Sequence, residues 1–411
     1  MKIGIIGSGL GGLLSGMSLA KKRHKVTIFE KLPYSGGRFT NLTYLGFELS
    51  TGALHMIPHG ANGPLGQMLK HLGIDVEIIP SNPPGVFRID GEDYLYNEVP
   101  GLFSLKEKLQ ITRILADLKF GSGGDESYKD WLKKRIKNQL IFDIADSFCG
   151  WALSLDSDDI SSRELISMTK NIRKFGVAGI PKGGCKGITS ALTVEFENLG
   201  GQILYKTPVD SILIEDGKVM GLSTENERFD FDVVLSNIGP KATIKLCGEE
   251  NFDKGYVKAM KNIKEVGGIK ISVSCDKPMI GHTGILFTPQ AKRIDGANEV
   301  TNADPSLAPK GKHLLMTHQR LQSEDLKKEI ELGIEDLHEL FPDFEKHCEI
   351  LLVQSYRDGW PVNRTPSGKY LSPDTPIRGL YCVGDAIKPE GWMETEGVAK
   401  GVEMMLKRLE G

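Results

Sequence analysis

The sequence has few cysteines, no long uninterrupted apolar run and no large excess of charge of either sign. Its 411 residues include six cysteines, and no two of them form a Cys-x-x-Cys pair. A disulfide framework and a cysteine-based metal site are therefore not expected, and reduced thiols in a cytoplasmic protein are the simplest interpretation. No stretch has the ~18 consecutive apolar residues that predict a membrane-spanning helix.

The charge balance excludes one broad class of partner. The 51 Lys and Arg residues against 54 Asp and Glu residues give a formal net charge of −3, so no general nucleic-acid-binding surface is expected. The composition is 40% hydrophobic and 26% charged, which is typical of a globular protein long enough for two packed domains. Glycines interrupt the apolar start of the chain, which argues against a signal peptide.

The first thirty residues carry the most informative pattern. An apolar strand over 2–6 leads into a glycine-rich turn, an apolar helix follows, and a second strand over 25–29 ends at Glu30. This order of strand, turn, helix, strand and acid predicts a dinucleotide-binding unit. The residues of the turn and the helix start are Gly7, Ser8, Gly9, Leu10, Gly11 and Gly12.

Each conspicuous residue of this unit has a physical role. Gly7 permits the tight turn, Gly9 lets the backbone approach a pyrophosphate, and Gly12 lets the helix lie close to the strand. The pyrophosphate is expected at the helix N-terminus, where free N–H groups favour negative charge. The Glu30 carboxylate is expected to accept hydrogen bonds from ribose hydroxyls, and Lys31 beside it is included among the predicted cofactor contacts.

A glycine pair and an arginine follow the second strand. Gly36, Gly37 and Arg38 are spaced from Glu30 so that the guanidinium would lie beside the pyrophosphate. The alternative is an ordinary glycine-rich loop with a solvated arginine. The spacing from Glu30 favours the first interpretation. A separate motif lies near the other end of the chain, where a short apolar strand ends in Gly384 and Asp385.

Together these motifs resemble the flavin-binding regions of the amine oxidase and phytoene desaturase superfamily, and in particular its carotenoid desaturase branch. The resemblance implies bound FAD. It also implies that the Val209 backbone touches the adenine, that Gly52 lies near the flavin ring and that Asp385 contacts the ribityl–pyrophosphate region. The other segments that carry the resemblance are 181–192, 199–209, 231–237 with Asn237, and 379–385.

The implied fold class is α/β, with a Rossmann-type FAD-binding domain of the GR2-like flavoprotein kind and an inserted α+β substrate domain. The FAD-binding domain is predicted to comprise 1–58, 181–262 and 356–411. The substrate domain is predicted to comprise 59–180 and 263–355.

A helix is predicted from about Glu396 to Leu409, after the Gly384–Asp385 strand end. Its N-terminus would lie over the cofactor, where the helix dipole favours negative charge on a reduced flavin. Glu396, Gly397 and Val398 are therefore predicted cofactor contacts.

Other local patterns predict two helices and a turn. Ser104 and Glu107 form a capping box, Ser323 is the predicted cap of a helix that ends at Pro342, and 215–218 predicts a hairpin turn. The predicted buried face of the first helix consists of Leu109, Ile111, Ile114, Leu115 and Leu118.

Three residues are candidates for the chemistry, each with a simpler alternative. Lys270 lies in a segment similar to the amine oxidase strand whose lysine holds a water at flavin N5, although a strand lysine is often solvated. Tyr370 and Trp392 resemble the two walls of the amine oxidase aromatic cage, although Tyr370 also fits an ordinary half-buried loop tyrosine. A second alignment of the Trp392 segment instead matches 396–398 to the helix start. Lys369 replaces the cysteine of covalent-flavin members, which implies non-covalent FAD.

His55 and one basic segment have predicted roles outside the reaction itself. His55 is predicted to be a satisfied structural histidine rather than a catalytic base. The basic segment 129–137, followed by apolar residues 140–142, suggests a helix for peripheral membrane contact, with a solvated helix face as the alternative.

The sequence favours an FAD-dependent oxidoreductase similar to phytoene desaturases. Hydride would pass between flavin N5 and a small apolar substrate of isoprenoid or polyene type, and the electron acceptor is left open among quinone, oxygen and NAD(P). The alternatives are a flavin amine oxidase that forms hydrogen peroxide and a non-enzymatic lipid- or prenyl-binding escort protein. An NAD-dependent dehydrogenase would explain only the first motif.

Overall fold

The computed structural model describes residues 1–263, 265–357 and 370–410. The strands are β1 (Lys2–Ile6), β2 (Lys25–Phe29), β3 (Asn41–Tyr44), β4 (Phe47–Ser50), β5 (Ile78–Pro80), β6 (Gly85–Ile89), β7 (Glu92–Leu95), β8 (Gly179–Pro181), β9 (Gln202–Leu204), β10 (Ser211–Glu215), β11 (Lys218–Ser223), β12 (Arg228–Asp230), β13 (Val233–Ser236), β14 (Gly268–Cys275), β15 (Ile285–Phe287), β16 (Gly296–Glu299), β17 (His313–Arg320), β18 (Cys348–Tyr356) and β19 (Leu380–Cys382). The helices are α1 (Leu10–Lys21), α2 (Pro64–Leu72), α3 (Leu105–Phe120), α4 (Tyr128–Lys133), α5 (Gln139–Leu153), α6 (Ser162–Phe175), α7 (Gly184–Asn198), α8 (Pro240–Cys247), α9 (Lys254–Lys261), α10 (Leu326–Leu340), α11 (Phe344–His347) and α12 (Glu394–Glu410).

A five-stranded parallel sheet confirms the predicted Rossmann-type unit. Its strand order is β19-β13-β1-β2-β9, and every neighbouring pair in it is parallel. Ile3 and Ile5 of β1 pack in one apolar core with Leu13 of α1, Leu192 of α7 and Val402 of α12. Helices from distant parts of the chain therefore cover the sheet, as expected for a parallel sheet whose strands are buried on both faces.

Hairpin turns lie where glycine follows a residue in left-handed conformation. The predicted turn at 215–218 joins β10 and β11, and Asp216 and Gly217 have φ angles of 49° and 67°. Leu45 and Gly46 form the turn between β3 and β4 with φ angles of 50° and 82°. Positive φ at both central residues gives the backbone twist that suits a two-residue hairpin.

A seven-stranded sheet with the order β18-β14-β17-β16-β15-β6-β7 forms the second large layer. Strand β14, which lies next to the edge strand β18, is buried along its whole length. Ile269 and Ile271 belong to the face that packs against Leu337 of α10 and against Phe341, which directly follows this helix. Because side chains alternate along a strand, Lys270 belongs to the opposite face of this sheet.

The distribution of strands is compatible with the predicted domains. All five strands of the parallel sheet fall within 1–58, 181–262 and 356–411, whereas those of the seven-stranded sheet fall within 59–180 and 263–355 except for the last residue of β18. The domain boundaries themselves remain a prediction.

Helix caps refine two predicted boundaries. The Ser104–Glu107 capping box is present at α3, as predicted. The cap of α10 is Asp325, whose side chain accepts from the Lys328 N–H at 3.1 Å, so the prediction of Ser323 was wrong. The final helix begins at Glu394, two residues before the predicted start.

The basic segment 129–137 does not present an amphipathic face to solvent. Trp131 is buried, and Arg135 lies over its ring at 3.7 Å while pairing with Asp117 at 2.9 Å. Lys129 forms an ion pair as well. The predicted membrane contact through this segment is therefore corrected, because its apolar residues fill the core and these charges are paired. Among the described residues, no helix is both long and apolar enough to span a bilayer.

Candidate cofactor and active site

The glycine turn has the geometry that its predicted roles require. Gly7 has a φ of 92°, which disfavours residues with a Cβ. A Cβ on Gly12 would overlap the Gly7 carbonyl oxygen, and one on Gly9 would lie 2.9 Å from Asn237 Nδ2. Gly9 caps α1 without a side-chain hydrogen bond. The first-turn N–H groups of α1 therefore offer a binding position for a pyrophosphate.

Glu30 ties the glycine turn to the end of β2. Its Oε2 accepts from Ser8 N at 2.8 Å and from Ser8 Oγ at 2.7 Å, and its Oε1 accepts from Leu32 N at 2.9 Å. A carboxylate has about four acceptor positions, so these three donors leave capacity for a ribose hydroxyl. Glu30 is buried, and Lys31 beyond it is exposed.

The second glycine motif lies against the first. Gly36 N donates to Ser8 O at 2.8 Å, and Gly37 O accepts from Thr51 Oγ1 at 2.9 Å. A Cβ on Gly52 would overlap the Arg38 carbonyl oxygen. The loop that contains Gly52 therefore packs against the Gly36–Arg38 loop, and the two share one edge of the site.

The two ends of the chain meet through a charge pair. Arg38 Nη2 lies 3.7 Å from Asp385 Oδ2, and Lys388 Nζ donates to Asp385 Oδ1 at 2.5 Å. The Lys388 side chain is almost fully buried. The carboxylate of Asp385 is therefore held between two cations, one from each end of the chain.

Asn237 links three of the predicted motifs. Its Nδ2 donates to Gly7 O at 3.2 Å, and its Oδ1 would clash with a Cβ on either Gly11 or Gly384. The described backbone is thus closely packed where β1, β13 and β19 end. Leu10 differs from these residues in role, because its side chain is buried in the core between the sheet and α1.

The predicted adenine contact lies next to the Glu30 strand end. Thr207 N donates to Glu30 O at 2.9 Å, and Glu30 N donates to Leu204 O at 2.9 Å. Val209 follows two residues later and is half-buried. This position is compatible with the predicted backbone contact, which remains a prediction.

Glu396 directs its carboxylate at α2. It accepts from His59 N at 3.1 Å and from Leu65 N at 2.8 Å, and burial raises its pKa to about 7. Gly397 lies close to the Lys388 side chain, and Val398 is in the core. A contact between residues 396–398 and the cofactor stays a prediction. Because the Glu396 carboxylate already bonds His59 and Leu65, such a contact would use the Glu396 backbone.

Lys270 is buried rather than solvated. Its Nζ donates to Ser50 Oγ and to Gly52 O, each at 2.8 Å, and also to Ser50 O. Burial lowers the pKa of this lysine to about 7. The side chain thus joins the seven-stranded sheet to the loop predicted to border the flavin.

A polar group accompanies Lys270 on the same sheet face. Lys270 is the cross-strand partner of His318, and Tyr356 hydrogen-bonds both His318 and Ser154, the latter at 2.9 Å. Burial and the nearby positive charges of Lys270 and Arg320 lower the His318 pKa to about 3. His318 is therefore a neutral ring at physiological pH.

Tyr370 and the Trp392 segment are brought together by a residue that the sequence did not reveal. Glu164 Oε2 accepts from Gly391 N at 3.0 Å and from the Tyr370 hydroxyl. Glu164 lies in the first turn of α6, where its N–H is bonded by Ser161. That pattern resembles an ordinary helix cap, so it gave no signal of a site. Lys369 and the segment before it lie outside the described residues.

Trp392 packs in an aromatic group of its own. Its ring centroid is 5.9 Å from that of His59 and 5.3 Å from that of Phe175. Lys400 Nζ lies 5.6 Å from the indole centroid. These contacts anchor the segment that opens α12, and whether Tyr370 and Trp392 face the flavin stays a prediction.

His55 has the structural role that the sequence predicted. Its Nε2 bonds Glu48 O at 2.8 Å, and its Nδ1 accepts from Cys185 N at 3.3 Å. Burial lowers its pKa to about 4. Both ring nitrogens are thus used by the backbone, which leaves no free base.

Lys388 and Glu394 were also missed. Lys388 could have been suspected from its position three residues after Asp385. Glu394 has a φ of 42° at the start of α12, a conformation that non-glycine residues seldom adopt and that often accompanies a functional site. The residue type of a glutamate does not show that its backbone has a positive φ, so the sequence could not indicate this feature of Glu394.

The assembled groups fit FAD. An uncapped helix start and Arg38 suit a pyrophosphate, Glu30 suits a ribose, and closely packed glycines allow the cofactor near the backbone. Among the described residues, no group of three or more His, Cys, Asp or Glu side chains could hold a metal ion.

Comparison with known proteins agrees with this fit. Residues 10–395 match the model of the family described as flavin containing amine oxidoreductase. An uncharacterized protein of Methanocaldococcus jannaschii is 45% identical over 403 residues, which cover 98% of each chain. A crystal structure of an oxidoreductase from Methanosarcina mazei has a TM-score of 0.94 at 45% identity, covering 99% of this chain and 100% of that one.

A more distant relative has a carotenoid-related name. A chloroplastic prolycopene isomerase of Daucus carota is 26% identical over 474 residues, covering 94% of this chain and 76% of its own. The family match spans most of the sequence and includes the motifs from Gly11 to Glu394. The chain belongs to the flavin-containing amine oxidoreductases and is an FAD-dependent oxidoreductase.

Proposed function

We propose that the enzyme acts on an apolar isoprenoid or polyene substrate bound between the seven-stranded sheet and the β4 loop. The observation that carries this proposal is the apolar environment around Lys270. Met316 and Phe287 lie on the same face of the sheet as Lys270, by register. Both pack in one core with Phe47 and Leu49 of β4.

Aromatic contacts extend this apolar region away from the lysine. Phe87 and Phe287 stack with centroids 5.1 Å apart, and Trp151 of α5 meets the His318 ring edge-on at 6.3 Å. Large rings and a thioether make many contacts with an extended hydrocarbon, and these contacts do not require one precise orientation of the hydrocarbon. Such a lining suits a polyene better than a charged amine.

Flavin, when bound, supplies the hydride-accepting or hydride-donating chemistry. The protein's part is to orient the Ser50–Gly52 loop through Lys270 and to exclude water by burial. Lys270, with its pKa of about 7, would hold or release a proton near neutral pH. The Daucus carota relative is named as a prolycopene isomerase, which supports a polyene as substrate class. Quinone, oxygen or NAD(P) would serve as electron acceptor.

Anaerobic absorbance of the purified holoprotein tests the substrate class. We expect a polyene or prenyl substrate to bleach or shift the flavin bands, or to return an isomerised product without net bleaching. We also expect heat-denatured protein to release its flavin into the supernatant, because the cofactor is proposed to be non-covalent. Flavin that stays with the precipitate would contradict that part.

Amine oxidation is the second candidate, and the buried Lys270 favours it because it matches the amine oxidase lysine. It is tested in air with a panel of diamines and monoamines and a peroxide assay. Peroxide formed from an amine, together with no response to polyenes, would replace the first proposal.

We further propose that α3 is the peripheral membrane contact. Leu105, Leu109 and Phe120 are 81%, 69% and 75% exposed, although Leu109 was predicted to be buried. On a helix of 3.6 residues per turn these three positions share one face. Lys106 and Arg113 border this face on one side, and Lys108 and Lys119 border it on the other.

An apolar stripe between basic residues is typical of a helix that lies in the interface of an anionic bilayer. Ile114 holds the opposite side of α3 in the core. The stripe is therefore available without unfolding the helix. An apolar substrate would be collected from the same lipid phase.

Vesicle co-sedimentation tests this contact with phosphatidylglycerol and phosphatidylcholine. We expect wild type to bind the anionic vesicles, and Leu109→Glu to lose at least tenfold in affinity, since one buried leucine contributes about 1.5–3 kcal/mol. Val194→Glu on α7 is the control, because Val194 is also an exposed apolar residue. Equal binding by all three proteins would contradict the proposal.

A further inference from the structure

Two cysteines of the seven-stranded sheet face each other directly. Cys275 ends β14 and Cys348 begins β18, and they are register partners in this antiparallel pair. Their sulfur atoms lie 2.9 Å apart, within about 1 Å of the length of a disulfide bond. All six cysteines of the chain are free thiols in the structure, and the sequence predicted no disulfide.

The backbone around the pair is suited to a cross-link. Asp276 N donates to His347 O at 3.0 Å, so the neighbouring residue pair is the hydrogen-bonded one. Cys275 and Cys348 are therefore a non-hydrogen-bonded pair, in which opposite Cα atoms are about 4.5 Å apart. That separation lies within the range that disulfides span without backbone movement.

We propose that Cys275 and Cys348 form a redox-sensitive cross-strand disulfide. Cys348 is partly exposed and Cys275 is buried, which sets the order of the steps. The Cys348 thiolate attacks a small aliphatic disulfide such as glutathione disulfide and releases one glutathione thiol. Cys275 then loses its proton and attacks the Cys348 sulfur, and the second glutathione thiol leaves.

The bond would fix the position of an edge strand. β18 lies at the edge of the sheet, and its pairing with β14 has an irregularity between Ser272 and Val273. An edge strand is hydrogen-bonded to the sheet on one side only, so fewer backbone bonds hold β18 than hold β14. A cross-link at Cys348 would fix the register between β18 and β14. In that register Tyr356 lies opposite Gly268, two residues from Lys270.

Thiol counting on the holoprotein tests the proposal. The protein is incubated with glutathione disulfide, quenched in acid, unfolded and alkylated, and its intact mass is measured. We expect wild type to lose two of its six alkylatable thiols without gaining glutathione, and dithiothreitol to restore both. A non-reducing digest should then contain one peptide pair that joins residues 275 and 348.

Three variants separate the steps. Cys275→Ser should retain one glutathione on Cys348, whereas Cys348→Ser should leave Cys275 unmodified. Cys247→Ser is the matched control, since Cys247 is buried in another core, and it should form the cross-link as wild type does. Six alkylated thiols in oxidised wild type, or glutathione retained on its Cys348, would overturn the proposal.

Discussion

The cofactor end of the molecule and the Lys270 region hold their buried charges in opposite ways. At the cofactor end, Arg38 and a second cation flank the Asp385 carboxylate. Lys270, by contrast, contacts the uncharged oxygen atoms of Ser50 and Gly52. Within the described part of the chain, no carboxylate lies within ion-pair distance of its ammonium group.

The different surroundings of the Asp385 carboxylate and the Lys270 ammonium group indicate what each region can do. A carboxylate flanked by two cations offers a fixed electrostatic site for a cofactor. A lysine buried among neutral acceptors loses its proton easily, because burial penalises the charged form. The first region is suited to binding, and the second is suited to moving a proton near neutral pH.

Loss of the cofactor altogether, the most severe outcome, is expected when the cofactor region is broken sterically. In Gly12→Val, the new side chain would overlap the Gly7 carbonyl oxygen and push α1 away from β1. We expect loss of bound flavin and a fall of about 3 kcal/mol in the free energy of unfolding. Flavin content by absorbance and urea unfolding measure both. Gly101→Val is the control, since a Cβ there meets no atom within 4 Å, and flavin-replete Gly12→Val protein would refute the assignment.

The buried Lys270 side chain should make the free energy of unfolding depend on pH. The folded-state pKa of about 7 lies below the ordinary value of 10.5, so between these values the unfolded chain binds the extra proton. Stability from this group is therefore absent below pH 7 and grows as pH rises toward 10.5. We expect the free energy of unfolding of wild type, relative to Lys270→Met, to rise by about 4 kcal/mol across that window.

Urea unfolding at a series of pH values measures this difference. Lys327→Met is the control, because the Lys327 side chain is 85% exposed and is not desolvated on folding. If the difference in the free energy of unfolding between wild type and Lys270→Met does not change with pH, the lysine keeps its ordinary pKa. The contrast between the two regions would then disappear.

The smallest effect is expected from removing one charge of the cofactor site. Arg38→Met leaves the Gly36–Gly37 loop intact and removes the cation next to Asp385. We expect the FAD dissociation constant to rise about tenfold, which corresponds to about 1.4 kcal/mol, with little loss of stability. Fluorescence titration of apoprotein measures it against Lys182→Met, which removes only a surface ion pair. Equal constants would mean that Arg38 does not face the pyrophosphate.

The cofactor region could be predicted from the sequence because its constraints are local. A glycine at position 7 signals a positive φ, and an acid after the second strand signals a ribose contact, whatever the rest of the chain does. The meeting of Arg38 with Asp385 was predictable only through the family resemblance, since 347 positions separate them.

The Lys270 region resisted prediction for the opposite reason. Alternation along β14 shows that Lys270 and Ile271 face opposite ways, but not which face another layer covers. The burial of both faces follows from β4 and α10 packing on the sheet, and neither is near in sequence. The same limit explains why Leu109, which is exposed, was assigned to the core, and why Trp131, which is buried, was assigned to a membrane-facing segment.

The strand order of the parallel sheet has a consequence for synthesis of the protein on the ribosome. β19 and α12 complete a layer whose first strand is β1, so the nascent chain must extend beyond residue 400 before α1 gains α12 as a neighbour in addition to α7. Until then the part of the apolar core that Val402 and Met405 cover stays exposed, and exposed apolar surface makes an incomplete chain prone to aggregate. The Arg38–Asp385 pair of the FAD site can therefore form only when nearly the whole chain has been made.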